Sequence, residues 1–179
     1  MAQSLWRDNE GSALVEGAVL VPMLLVLLGG VYEFSWIFHK QKLIEAGVRD
    51  AARYLARVCT NQNLPSCTSS TDPNPCNASD SSGTLYTTRA KNIAVYGSTS
   101  TSGFNQRVNG WTTGAVTITC PTFDNSAGNY LQNVPGTTNL YRVLVSTSYA
   151  APSLGFFGLL RLSPPNISAR HEERYIGPG

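Results

Sequence analysis

The hydrophobic pattern changes period twice along this chain. From Ala13 to Phe38 it is almost continuously apolar, interrupted by Glu16 and Glu33, with no charge from Gly17 to Tyr32. A bilayer core of ~30 Å needs ~20 helical residues at 1.5 Å each. The run therefore predicts a transmembrane helix over 12–38, with Tyr32, Phe34 and Trp36 placed for an aromatic belt. Beyond it the apolar residues Ile44, Val48, Ala51, Leu55 and Val58 recur at steps of four or three, one stripe of a helix. The membrane helix is thus expected to run on into an amphipathic stalk helix over 39–58. Its polar face carries Glu45 and Arg49 four apart, and a basic row of Arg49, Arg53 and Arg57.

From 59 to 114 the pattern dissolves into Asn, Ser, Thr, Pro and Asp, read as loop with one short helix near 85–96 that Gly97 stops. Period two then takes over. Ala115–Cys120, ended by Pro121, and Tyr141–Tyr149 read as strands, and Asn166–Ile176 offers a third. Helices first and strands last predict an α+β fold: a long N-terminal transmembrane and stalk helix packed on a small antiparallel β-sheet formed by 115–179. One segment stands out in this otherwise polar half, Pro152–Leu162, with Phe156 and Phe157 at its centre. It is expected either to fold onto the core or to be an interaction surface for lipid headgroups or another subunit.

The front end does not resemble an ordinary cleaved signal. The apolar run is longer than a usual h-region, Asp8 and Glu10 flank it, and no A-x-A site follows. Instead a short polar leader, 1–11, ends at Gly11, and a carboxylate, Glu16, stands at the fifth position after it. An ionised side chain inside hydrocarbon is unfavourable by about 2.5–3.5 kcal/mol for Asp at a helix centre, less near the end of a span. Were the chain cut after Gly11, the new α-amino group of Ser12 would lie on the helical face of Glu16. The same amine on a neighbouring subunit would give an ion pair that sets axial register between packed helices. Snorkelling of Glu16 to the interface is the simpler alternative. Pro22 leaves one carbonyl without its helical donor and predicts a kink. For the basic row, a solvated face competes with a docking strip for acids of the next subunit such as Glu172 and Glu173.

Composition narrows the classes. Charged residues are 13% of 179 and the net charge is +2, with no basic block carrying interleaved aromatics, so nucleic acid is not an expected partner. There is no P-loop, GxGxxG, HExxH or GxSxG, and His39 and His171 lack a nucleophile in a recognisable setting, so no catalytic residues, cofactor or metal are assigned. Asp72, Asn74, Asn77 and Asp80 are oxygen ligands of a type that suits calcium, but their spacing is not that of an EF-hand. Cys59, Cys67, Cys76 and Cys120 fit no zinc pattern and read as disulfides of an oxidising compartment, with three pairings open. Lys40, Lys42 and Arg49 after the helix would by simple counting hold the C-terminal part inside, but long domains cross largely regardless of charge. The cysteines favour a single-pass protein whose C-terminal domain lies on the oxidising side of a membrane, which in a bacterium is the periplasmic side of the inner membrane.

Gly11, Glu16, the run from Gly17 through Pro22 to Glu33-Phe34, the segment Ala51-Ala52-Arg53-Tyr54-Leu55-Ala56 and the end Ser168–Gly177 resemble TadE-like proteins, minor pseudopilins of tight-adherence (Flp-type) pili. The resemblance implies a pilin-like subunit, cut between Gly11 and Ser12 by a prepilin peptidase. It further implies other pilin-like subunits, an inner-membrane assembly platform and the lipid bilayer as partners, and a role in initiating, tipping or anchoring a pilus. The competing expectation is a permanently tethered periplasmic adhesion or ligand-binding module.

Overall fold

The first helix, α1, spans Asn9–Arg57, 49 residues without interruption. The computed structural model describes residues 9–58, 74–80, 82–124 and 139–175. The bond between Gly11 and Ser12 lies in the first turn of α1, so the helix starts earlier than its apolar run. Pro22 sits inside it without breaking it. The chain forms two compact units, one of residues 1–39 with 152–164, the other of 40–151 with 165–179.

In the second unit, Ile44, Val48, Ala51 and Leu55 are completely buried, as their stripe predicts, and Val58 is half-buried. Ala52 and Ala56 widen the buried face. The next helix, α2, spans Tyr86–Tyr96 and buries Tyr86, Ala90, Ala94 and Val95. Gly97 ends it in the left-handed conformation, φ 72°, its N–H bonded to the Ile93 carbonyl at 2.9 Å. At Gly47 the backbones of α1 and α2 lie close together. A Cβ there would collide with the Ala94 carbonyl oxygen and stand 3.0 Å from the Trp111 ring.

The strands are β1 (Val116–Thr119), β2 (Thr122–Asp124), β3 (Asn139–Ala150) and β4 (Asn166–Arg174). β3 is central and all pairings are antiparallel. β1 and β2 lie along the same edge of β3 in one continuous register, which places Cys120 and Pro121 opposite Val143 and Arg142. Proline has no N–H to give to a ladder, yet the Pro121 carbonyl still accepts the Arg142 N–H at 3.1 Å. The residue that ends β1 in the sequence pattern is thus a gap in one longer strand, and β2 is the strand the alternation did not reveal. On the other edge β4 pairs with β3 from Arg142↔Arg174 to Ala150↔Asn166, and supplies the expected third strand. The sheet and the preceding loop are joined by Trp111, whose Nε1–H donates to Thr147 Oγ1 at 3.0 Å. Thr147 in turn donates to the Ala115 carbonyl at 2.8 Å. The long N-terminal apolar helix and the small antiparallel four-stranded sheet make an α+β fold.

Among the three open pairings, the structure joins Cys76 to Cys120, Cα–Cα 5.9 Å. The arrangement in which Cys67 and Cys76 would close the loop on itself is therefore not adopted. Cys59, Cys67 and Asp72 lie outside the described residues.

Candidate functional site: the membrane helix and its two carboxylates

α1 is long and apolar enough to cross a membrane. Its large apolar side chains from Leu14 to Leu28 are exposed, none by less than 45%. Such a surface is unfavourable in water and natural in lipid. Near its head stands Glu16, exposed and with no hydrogen bond or ion pair to another described residue.

The second carboxylate behaves oppositely. Glu33 is 1% exposed. One oxygen accepts the Leu154 N–H at 2.7 Å and the Ser153 hydroxyl at 2.9 Å; the other accepts the Phe157 N–H at 3.1 Å. These donors belong to the connection between β3 and β4, where a single helical turn, α3 (Phe156–Leu159), forms. The first N–H groups of a helix have no partner within it, so an anion at that end satisfies them. Aromatic packing completes the seat. Phe157 meets Phe34 edge-on with centroids 5.6 Å apart, and Phe156 lies over Gly29 and Gly30, where any Cβ would be 3.2–3.3 Å from its ring.

This revises the reading of Pro152–Leu162. The segment belongs to the unit of the apolar helix. Phe157 is buried and Phe156 half-buried, so neither forms an exposed patch. Leu154, Leu159, Leu160 and Leu162 are the exposed members. Glu33 was legible only as an interruption of the apolar run, because its partners are backbone groups that no residue type announces.

The basic row meets acids of its own chain. Arg53 Nε lies 3.5 Å from Glu173 Oε1, which also receives His171 Nε2 at 3.0 Å. The His171 contact, with Arg53 adding to it, holds the Glu173 carboxyl below its ordinary range. Arg142 pairs with Glu172 at 2.9 Å, and Arg107 with Asp50 at 2.7 Å. Arg49 is exposed beside Glu45, and Arg57 is exposed at the last turn of α1. Of the calcium-type residues, Asn74 Oδ1 accepts the Cys76 N–H at 3.0 Å. Asp80 accepts from Ser82 and Thr84 and pairs with Arg89, which commits its oxygens to the turn before α2. Lys40, 9% exposed, lies 5.8 Å from the Tyr149 ring centroid, and burial pulls its pKa down.

Among the described residues α1 is the one helix long and apolar enough to cross a membrane, which fits a single-pass membrane protein. Residues 11–53 match the family model described as TadE-like protein, which bears out the resemblance read from Gly11, Glu16 and the apolar run. The chain matches no curated protein and no solved structure.

Proposed function

We propose that this chain is a minor pilin-like structural subunit that takes part in assembling a Tad/Flp-type pilus, after a prepilin peptidase cuts between Gly11 and Ser12. The observation that carries the reading is Glu16. It is an exposed carboxylate without a partner among the described residues, placed five positions after Gly11 at the head of an apolar helix, inside the segment that matches TadE-like proteins. A charge in that position is stabilised by an opposite charge brought by another helix. The amine released on Ser12 of a neighbouring subunit supplies it at the right height. The C-terminal unit then stands in the periplasm, or outside the cell with the fibre, where the Cys76–Cys120 disulfide persists.

The role is structural, and partners are other pilin-like subunits and the inner-membrane platform. The test is Glu16→Ala in a piliated cell with the protein still inserted at wild-type level. Loss of pili or of pulldown with the other pilin subunits supports the reading. Wild-type piliation argues instead for a permanently tethered module.

A further inference from the structure

We propose that residues 152–164, the connection between β3 and β4, form a second membrane contact: a short re-entrant segment that dips into the outer leaflet beside α1, with lipid acyl chains as its partner. The inference rests on the reading of α1 as a membrane helix and adds a lipid-embedded element that the helix alone does not imply.

The first argument is backbone accounting. Lipid offers no hydrogen bonds, so irregular chain at membrane depth must satisfy its own donors. Here the N–H groups of Leu154 and Phe157 go to Glu33, and that of Gly155 to Ser153 Oγ at 3.0 Å. Leu159 N–H goes to the Gly155 carbonyl, Leu160 to Phe156, Arg161 to Gly158 and Leu162 to Phe157, at 2.8–3.1 Å. The last two close α3 in a Schellman pattern, with Arg161 at φ 55° in the left-handed place that glycine usually takes. Seven of the eleven N–H groups between Pro152 and Pro164 thus have an acceptor on Glu33 or within the segment itself.

The second argument is the character of the face. Leu159 is 74% exposed, and Leu154, Leu160 and Leu162 are exposed with it. They lie in the same compact unit as the exposed apolar surface of α1. Phe156 sits over Gly29 and Gly30, six to seven residues before Trp36, or ~10 Å along the helix. That depth is within the hydrocarbon if the Tyr32–Trp36 aromatics mark the interface. Glu33, in the interfacial belt next to Tyr32, then serves as the anchor: a carboxylate enclosed in protein and bonded to three donors. Exposed Arg161 has the reach to place its guanidinium among headgroup phosphates.

The experiment uses the purified full chain in phosphatidylethanolamine/phosphatidylglycerol vesicles, with p-benzoylphenylalanine replacing one residue at a time. Positions are Leu159, Leu162, Leu24 in α1 and exposed Ser168 on β4, and phospholipid adducts are read by mass after irradiation. The expected result is adduct yield at Leu159 and Leu162 comparable with Leu24 and several-fold above Ser168. Adding Glu33→Ala should lower the Leu159 yield several-fold and leave Leu24 unchanged. A Leu24 probe that labels lipid while Leu159 and Leu162 behave like Ser168, or crosslink to a second copy of the chain, overturns the inference and leaves the membrane helix standing. A Leu24 probe that fails to label overturns the membrane reading itself.

Discussion

Glu33 accepts a backbone hydrogen bond from Phe157, 124 positions further along the chain, at 3.1 Å. The pair ties the connection between β3 and β4 to the apolar helix. It works because each side has a defect that the other removes. α3 begins with N–H groups that lack helical partners, and α1 carries a carboxylate where apolar side chains prevail.

Removing that carboxylate should release the connection. Glu33→Ala leaves the Leu154 and Phe157 donors unsatisfied, whereas Glu33→Gln keeps one acceptor. In detergent-solubilised protein, proteolysis within 152–164 is expected to speed up several-fold for Glu33→Ala and less for Glu33→Gln, while the β-sheet core stays resistant.

Gly47 is expected to be intolerant of any side chain. Gly47→Ala drives a Cβ into the Ala94 carbonyl and the Trp111 ring and should destabilise the C-terminal unit by about 1–3 kcal/mol, the usual range for overpacking. Gly17→Ala meets nothing within 4 Å and should leave the melting temperature of that unit unchanged. Thermal unfolding of the two variants checks the contrast.

The Cys76–Cys120 bond spans 44 positions. In the loop-entropy account a closure of that length stabilises by about 4 kcal/mol, so Cys76→Ser with Cys120→Ser should lose up to that amount. Denaturant midpoints under non-reducing conditions measure it.

Tyr175, 7% exposed, has its phenol pushed up to about 12 by burial. The folded pKa lies above the unfolded value near 10. The neutral phenol's contribution is therefore complete below pH 10 and lost as pH rises from 10 through 12, amounting to about 2–3 kcal/mol. Wild type should weaken over that window, and Tyr175→Phe should weaken less. Denaturant titrations at pH 9 and pH 11.5 compare them.

Much of the fold is legible in the chain's periodicities. The stripe Ile44–Val48–Ala51–Leu55 is the buried face of α1, and the stop at Gly97 is a left-handed cap. What escaped the pattern was set by long-range pairing. β2 is only three residues long and follows a proline, so neither alternation nor composition marks it; its register with β3 does. Cysteine spacing left three pairings open, and the fold chose by bringing Cys120, at the break between β1 and β2, to Cys76. Of the candidate site, Glu16 was visible because a charge in an apolar run is conspicuous. Glu33 was equally conspicuous, but its meaning depended on where residues 153–157 go, and nothing local encodes that.

Arg53 separates folding from assembly. Its contact with Glu173 is long and its side chain 54% exposed, so Arg53→Glu should change stability by less than about 1 kcal/mol. If the basic row docks a neighbouring subunit, the same charge reversal should lower co-purification with other pilin subunits. Unfolding and pulldown on one preparation give both numbers.

The most direct measurement is the intact mass of the protein extracted from membranes of piliated cells. The account predicts a chain that has lost residues 1–11 and begins at Ser12, with the unprocessed form accumulating when the prepilin peptidase is absent. A functional protein that still carries Met1 through Gly11 contradicts it.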